Sequence, residues 1–231
     1  MRILAISDIH GCLKSFRRLV EEVLAVEKTD HLVLCGDFID RGPDSKGVIE
    51  YVMKLMKDGY QIEALRGNHE EFLLQSLEGN HEETDTWLYV GGKQTMESYG
   101  LRYPAEIPLD HVDFYKNLKL SVEVDKYIFV HAGVGTGGLP PLQDERAMLW
   151  ARALSPYLAL AKAEKPGAPR TLAVAPVKIT VPRPRGSMWR AASRPVKKPA
   201  KHAISQTLRK TRAVVSVMEK CTLAPILKMT A

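Results

Sequence analysis

Short apolar strands alternate with amphipathic helices over the first half of the chain, and this alternation limits the possible fold more than any other feature. Apolar runs of strand length, each ended or followed by polar residues, occur at 2–8, 31–37, 61–66, 120–124 and 127–130. Apolar residues at helical spacing predict helices over 13–26 and 46–57, one starting at His69 and one across 86–99. This alternation is typical of an α/β fold with a mainly parallel sheet.

Polar side chains collect where four of these strands end. The segments are DIHG at 8–11, GDFIDRG at 36–42, GNHE at 67–70 and HAG at 131–133. In parallel sheets, functional groups gather just past the carboxyl ends of the strands. Asp8 and His10 are two residues apart and project to the same side, so a carboxylate and an imidazole can share one metal ion. A carboxylate such as that of Asp37 can bridge two cations.

Each segment alone has an ordinary structural explanation. A single Asp or Asn beside Gly is more often a turn residue or a helix cap than a ligand. A single His at a strand end is more often a hydrogen-bonded structural residue. Four such segments, each after an apolar strand, instead favour a common functional site. The combination indicates a site for two divalent metal ions.

These segments, read as DIHG, GDFIDRG, GNHE and VHAG, resemble the calcineurin-like metallophosphoesterases. The resemblance is closest to the branch of bacterial serine/threonine protein phosphatases and symmetrical diadenosine tetraphosphatases, and it includes GGKQT at 91–95 and LWAR at 149–152. It implies an α/β sandwich of two mixed β-sheets flanked by helices. It also implies hydrolysis of phosphate monoesters by attack of a metal-bound hydroxide. Two divalent metal ions are expected, with Mn²⁺ first and Fe or Zn²⁺ also suited to the ligands.

The resemblance implies a role for each matching residue. The expected metal ligands are Asp8 and His10 on the first metal, Asp37 between the two metals, and Asn68 and His131 on the second. His69 would be the general acid for the leaving oxygen, oriented by Asp40. Arg41 and Arg152 would bind the substrate phosphate, since guanidinium groups match phosphate oxygens in pairs.

Three functions remain open on the sequence alone. A serine/threonine protein phosphatase is the first expectation, and a symmetrical dinucleoside-polyphosphate hydrolase that cleaves diadenosine tetraphosphate is the alternative. Both would use the same site, so the partner is a phosphoprotein or a nucleotide substrate. The third is a catalytically impaired phosphatase fold that acts as a binding module through a basic tail.

Charge and composition change abruptly near Arg152. Residues 1–152 hold 17 Lys and Arg against 25 Asp and Glu, whereas residues 153–231 hold 16 against 2. The second part contains no Asp and 9 of the 14 prolines. We therefore expect a catalytic core over 1–152 and a basic, Pro/Ala-rich, largely irregular tail over 153–231. Within the tail, 153–163 could extend a helix, 171–181 suggests a strand and 203–220 a weak helix.

One family feature is missing from the tail. The resemblance requires a further His ligand in a Gly-His-Thr segment, and no Gly-His pair follows residue 152; His202 lies in a basic segment with no strand before it. One hypothesis is a change of reading frame near residues 152–156, and translation of the coding DNA in the other two frames tests it. If neither frame gives Gly-His-Thr, the tail is a genuine basic segment that could bind nucleic acid. Without the sixth ligand, the second metal would bind weakly and turnover would be slow.

The remaining sequence features indicate a cytoplasmic protein. No run approaches the roughly 18 apolar residues of a membrane span, and the N-terminus reads as a strand rather than a targeting signal. The three cysteines, which lack CxxC spacing, are expected to be free thiols. The sequence does not indicate the oligomeric state.

Overall fold

The computed structural model describes residues 1–125, 127–133 and 145–151, together with the backbone of four strands at 172–174, 213–219, 222–223 and 227–229. No helix among these residues is long and apolar enough to cross a membrane. The sequence-predicted residues Arg152 and His202 lie outside this part of the chain.

The first sheet carries most of the site. Its strands are β1 (Ile3–Ser7), β2 (His31–Leu34), β3 (Gln61–Ala64), β7 (Ala213–Glu219), β8 (Thr222–Leu223) and β9 (Leu227–Met229). The order is β3-β2-β1-β7-β8, and β9 pairs with β7. The pairs β3–β2, β2–β1 and β1–β7 are parallel, whereas β8 and β9 run antiparallel to β7. The carboxyl ends of β1, β2 and β3 therefore lie along one edge.

A second sheet packs against the first. It consists of β4 (Ser121–Val124), β5 (Tyr127–Val130) and β6 (Leu172–Val174), with β4 antiparallel and β6 parallel to β5. Side chains alternate between the two faces of a strand, so Ile3 and Ala5 of β1 pack with Tyr127 and Phe129 of β5 between the sheets. Both sheets are mixed, which confirms the predicted sandwich.

Helices cover the other face of the first sheet. They are α1 (Leu13–Arg18), α2 (Ser45–Lys57), α3 (Asn68–Leu77), α4 (His81–Trp87), α5 (Lys93–Tyr99) and α6 (Leu109–Lys116), whereas α7 (Glu145–Trp150) lies against the second sheet. Leu4 and Ile6, the alternate residues of β1, are fully buried in this larger core. On the outer face of the second sheet, Met148 of α7 packs with Ile128 and Val130.

Several predicted elements differ from the observed ones. The helix expected over 13–26 continues from α1 as a π-helical turn, Leu19–Val23, and the helix expected over 86–99 is divided by another π turn, Leu88–Gly92. Helix α6 was not predicted. The weak helix expected over 203–220 is wrong for 213–219, because that segment is a strand beside β1. Cys35 is a buried free thiol as expected, but Cys12 is disulfide-bonded.

Candidate metal centre

The loops after β1 and β2 hold their polar residues in an unusual backbone conformation. Asp8, His10, Asp37, Asp40 and Arg41 all have positive φ angles, of 55°, 44°, 55°, 73° and 65°. A positive φ is uncommon for residues other than Gly, and strained residues of this kind cluster at functional sites. These loops are also bonded to each other, since the N–H groups of His10 and Gly11 donate to the carbonyls of Asp37 and Phe38, each at 2.8 Å.

Glu70 fixes the second of these loops from the adjacent helix. Its buried carboxylate accepts from the backbone N–H groups of Asp37 at 2.9 Å, Phe38 at 2.8 Å and Gly67 at 2.9 Å. Burial, with the nearby Asp37 carboxylate, raises the pKa of Glu70 to about 7. The sequence placed Glu70 correctly in the first turn of α3, but it did not show that this side chain supports the loop after β2.

The tautomers of two histidines follow from their buried hydrogen bonds. His10 Nδ1 lies 2.9 Å from the carbonyl oxygen of Ile39, and His131 Nδ1 lies 2.7 Å from that of Cys35. Because a carbonyl can only accept, both Nδ1 atoms carry hydrogen. When the rings are neutral, their Nε2 atoms therefore present lone pairs. Metal-binding histidines typically hold their second ring nitrogen in this way.

Two oxygen acceptors lie close to His131 Nε2. The amide oxygen of Asn68 lies 3.1 Å away and Asp37 Oδ1 lies 3.4 Å away. With the ring neutral, Nε2 and the Asn68 oxygen are both acceptors, whereas a protonated ring would donate its Nε2–H to Asn68 Oδ1. A cation would satisfy all three atoms together. The arrangement therefore fits the metal ion expected from the sequence, with one nitrogen and two oxygens as donors.

A cationic group already lies against the other histidine. Arg41 is exposed, and its Nη1 donates to His10 Nε2 at 2.9 Å. Asp37 Oδ2 lies 3.5 Å from the same His10 nitrogen. The lone pair on His10 Nε2 thus faces a positive charge, as the lone pair of a metal-binding histidine does. Asp37 contacts His10 through one oxygen and His131 through the other, as expected for a bridging carboxylate.

His69 lies between this group and a second buried carboxylate. His69 Nδ1 donates to Asp40 Oδ2 at 2.6 Å, which leaves Nε2 facing Asp37 Oδ2 at 4.0 Å. Nitrogen and oxygen atoms of His10, Asp37 and His69 lie within 4.8 Å of one another and could hold a metal ion by distance alone. The bond to Asp40 makes His69 equally suited to proton transfer, which is the role that the resemblance implies.

The charges around Asp37 oppose the effect of burial. Burial favours the neutral acid, but His131, His69 and His10 hold the pKa of Asp37 well below its usual range. For His69, burial lowers the pKa, yet Asp37 and Asp40 raise it on balance. For His10, burial dominates and its pKa is lowered. An anionic Asp37 and a readily protonated His69 therefore occur together.

Two further residues contact Asp40, and neither contact was foreseen. Trp87 Nε1 donates to both carboxylate oxygens, at 3.1 and 2.9 Å, and Thr95 Oγ1 donates to Asp40 Oδ1 at 2.6 Å. No motif in the sequence assigns Trp87 or Thr95 a role at Asp40. The sequence does contain one hint of these contacts. Gly91 and Gly92 interrupt a helical pattern, and such paired glycines indicate a turn or a close approach of the backbone.

Of the predicted site residues, the structure brings Asp37, His10, Asn68, His69 and His131 together. Asp8 follows β1 directly, and its carboxylate accepts from the hydroxyl of Ser7. Asp8 is half-buried. Arg152 cannot be placed, because it lies outside the described residues.

The fold agrees with the comparisons with known proteins. The family model of the calcineurin-like phosphoesterases matches residues 1–175, and the chain belongs to that family. The resemblance seen in the sequence is thereby confirmed, and a metal-dependent phosphoester hydrolase is the class that it defines.

Curated relatives carry two different names. A symmetrical bis(5'-nucleosyl)-tetraphosphatase of Nitrosospira multiformis is 32% identical over 151 residues, which are 65% of this chain and 49% of the relative. Serine/threonine-protein phosphatase 1 of Salmonella typhimurium is 36% identical over 87 residues, 38% of this chain and 37% of the relative. The solved structure of a cold-active protein-tyrosine phosphatase of a Shewanella species covers 58% of this chain and 44% of its own at 17% identity, with a TM-score of 0.45. The chain spans about half the length, or less, of the curated relatives it matches.

Proposed function

We propose that this chain hydrolyses dinucleoside polyphosphates at a centre of two divalent metal ions, with diadenosine tetraphosphate as the leading substrate. The observation that carries the chemistry is the convergence of Asp37, Asn68 and His131 acceptors beside the His69–Asp40 pair. The nucleotide substrate is supported by the names of relatives such as that of Nitrosospira multiformis. This reverses the order expected from the sequence, which placed phosphoproteins first.

The proposed ligands are those implied by the resemblance. Asp8 and His10 would hold one ion, Asn68 and His131 the other, and Asp37 both. When bound, such ions supply positive charge that polarises phosphate oxygens and makes water a better nucleophile. Mn²⁺ is the proposed ion, and the oxygen and imidazole donors also suit Fe or Zn²⁺.

The remaining steps belong to side chains of this chain. The exposed guanidinium of Arg41 would bind a phosphate of the substrate through paired hydrogen bonds. His69 would donate its Nε2 proton to the leaving oxygen, since its Nδ1–H remains bound to Asp40. Symmetrical cleavage breaks the central P–O–P bond, and water supplies the new oxygen. Two nucleoside diphosphates are then the only products.

A second candidate is a serine/threonine protein phosphatase, favoured by the match to the Salmonella typhimurium enzyme. The two candidates differ in the leaving group. A serine alkoxide is a much stronger base than a nucleoside diphosphate, so it depends more strongly on a proton from His69.

Parallel assays of the Mn²⁺-loaded chain test the proposal. We expect diadenosine tetraphosphate to be hydrolysed to ADP alone, with a higher kcat/KM than a phosphoserine peptide. A higher kcat/KM for the peptide would replace the leading candidate with the second. Hydrolysis of neither substrate, under conditions where the protein binds Mn²⁺, would contradict both.

A further inference from the structure

The carboxylate of Asp40 is held by an arrangement that extends beyond the His69 pair. Asp40 is fully buried, so each of its oxygens requires hydrogen-bond donors. Oδ2 accepts from His69 Nδ1 and Trp87 Nε1, and Oδ1 accepts from Thr95 Oγ1 and Trp87 Nε1. Each oxygen therefore has two donors, and their positions leave the carboxylate little freedom to rotate.

The number of available hydrogens fixes the direction of each hydrogen bond around Thr95. A hydroxyl has one hydrogen, and that of Thr95 points to Asp40 Oδ1. The Thr95 oxygen then accepts from the backbone N–H of Asp40 at 2.9 Å and from the hydroxyl of Ser45, also at 2.9 Å. Thr95 thus contacts both the backbone and the carboxylate of Asp40. Thr95 itself is fully buried.

The two donors come from either side of the Leu88–Gly92 turn. Trp87 ends α4 and Thr95 lies in the first turn of α5. Gly92 lies so close to the indole that a Cβ atom there would be 2.5 Å from the Trp87 ring. Gly91 has φ 139° and would place a Cβ atom 2.8 Å from Arg41 Cγ. The two glycines allow the turn to bring both donors onto Asp40.

We infer that Trp87 and Thr95 are positioning residues for proton donation by His69: they orient the Asp40 carboxylate, and through it the imidazole. The inference rests on the proposed role of His69 as general acid. Neither side chain contacts the acceptors of the proposed metal ligands in the described residues, so their effect is on proton transfer and not on metal binding.

Substitutions that remove one donor each provide the test. Thr95→Val removes the hydroxyl with little change of volume, whereas Thr95→Ser retains it. Trp87→Phe removes the indole N–H but retains an aromatic ring. Ser98→Ala is the matched control on α5, because the Ser98 hydroxyl contacts Lys46 N and Thr95 O and has no bond to Asp40.

The kinetic measurement compares leaving groups in the Mn²⁺-loaded chain. General acid catalysis increases the rate by roughly 10²- to 10⁴-fold. We expect Thr95→Val and Trp87→Phe each to lower kcat for a phosphoserine peptide by about tenfold. With 2,4-dinitrophenyl phosphate, whose leaving group needs no proton, we expect a loss below about twofold. Thr95→Ser and Ser98→Ala should retain wild-type rates, and all variants should keep their bound Mn²⁺. Equal losses for both substrates, or no loss, would overturn the inference.

A second measurement does not depend on activity. The His69 Nδ1 proton should give a downfield proton NMR signal, assigned by its loss in His69→Gln. We expect this signal to shift or broaden in Thr95→Val and Trp87→Phe, and to remain in Ser98→Ala. An unchanged signal in both donor variants would overturn the inference. If the wild type hydrolyses no phosphoester, the proposed function fails. The NMR signal then decides by itself whether Trp87 and Thr95 orient the His69 imidazole.

Discussion

Two neighbouring groups of side chains meet beyond the ends of β1 and β2, and they differ in how their acceptors are satisfied. Around Asp40, each carboxylate oxygen receives two hydrogen-bond donors. Around Asp37, Nε2 of His131 and the amide oxygen of Asn68 lie 3.1 Å apart, and with the ring neutral both are acceptors. The Asp40 group has all its acceptors satisfied by protein donors, whereas the Asp37 group needs either a proton on His131 or a metal ion.

The difference explains how two buried aspartates only three residues apart can act differently. Asp37 contacts His10 and His131 through ring nitrogens that carry lone pairs, and its charge suits a metal ion. Asp40 contacts His69 through a nitrogen that carries hydrogen, so its charge suits an imidazolium ion. Hydrogen bonds of the other ring nitrogen decide which role each histidine can take.

Removing the charge of Asp37 should have the largest effect. Metal ions contribute several kcal/mol of charge stabilisation, and each 1.36 kcal/mol corresponds to a tenfold rate. We therefore expect Asp37→Asn to lower kcat/KM for p-nitrophenyl phosphate by about 10⁴-fold. Asp44→Asn is the control, because Asp44 caps α2 through Gly47 N and Asn caps equally well. Similar losses in the two variants would contradict the distinction drawn for Asp37.

Replacing His69 should have the next largest effect and should separate its two possible roles. As a general acid, His69→Asn should lower kcat for an alkyl phosphate by about 10²- to 10³-fold while the bound Mn²⁺ is retained. Plasma mass spectrometry of the dialysed variant measures the metal. Loss of the metal together with activity would show that His69 is a ligand, as its proximity to His10 and Asp37 also allows.

Substitution of Glu70 should have a smaller effect, and on stability rather than on activity. Glu70→Gln replaces a carboxyl group whose two oxygens accept from three backbone N–H groups with an amide that has one acceptor oxygen. A buried donor left without an acceptor costs about 1–3 kcal/mol, so we expect the free energy of unfolding to fall by about 1–2 kcal/mol. Urea denaturation measures the change, with the exposed Glu82→Gln as control. A Glu70→Gln midpoint equal to that of the control would show that the loop after β2 does not depend on this carboxylate.

The sequence predicts the parts of this site that follow from strand order. Asp37, Asn68 and His131 each follow an apolar strand, and the parallel order of the sheet brings the first two to one edge. Trp87 and Thr95 could not be predicted in the same way, because their partner Asp40 is 47 and 55 residues away. The helical or strand periodicity of a sequence carries no information on contacts between such distant residues.

Helix α6 was not predicted because its apolar pattern is weak. Its first residue, Leu109, is 82% exposed.

If the acceptors around Asp37 hold a metal ion, the chain binds Mn²⁺ and loses it when Asp37 loses its charge. Equilibrium dialysis of the wild type and of Asp37→Asn, followed by mass spectrometry, gives the bound Mn²⁺ per chain. We expect the wild type to retain Mn²⁺ and Asp37→Asn, otherwise folded by circular dichroism, to bind it much more weakly. Equal binding by the two proteins, or no binding by the wild type, would contradict the assignment of these acceptors to a metal site.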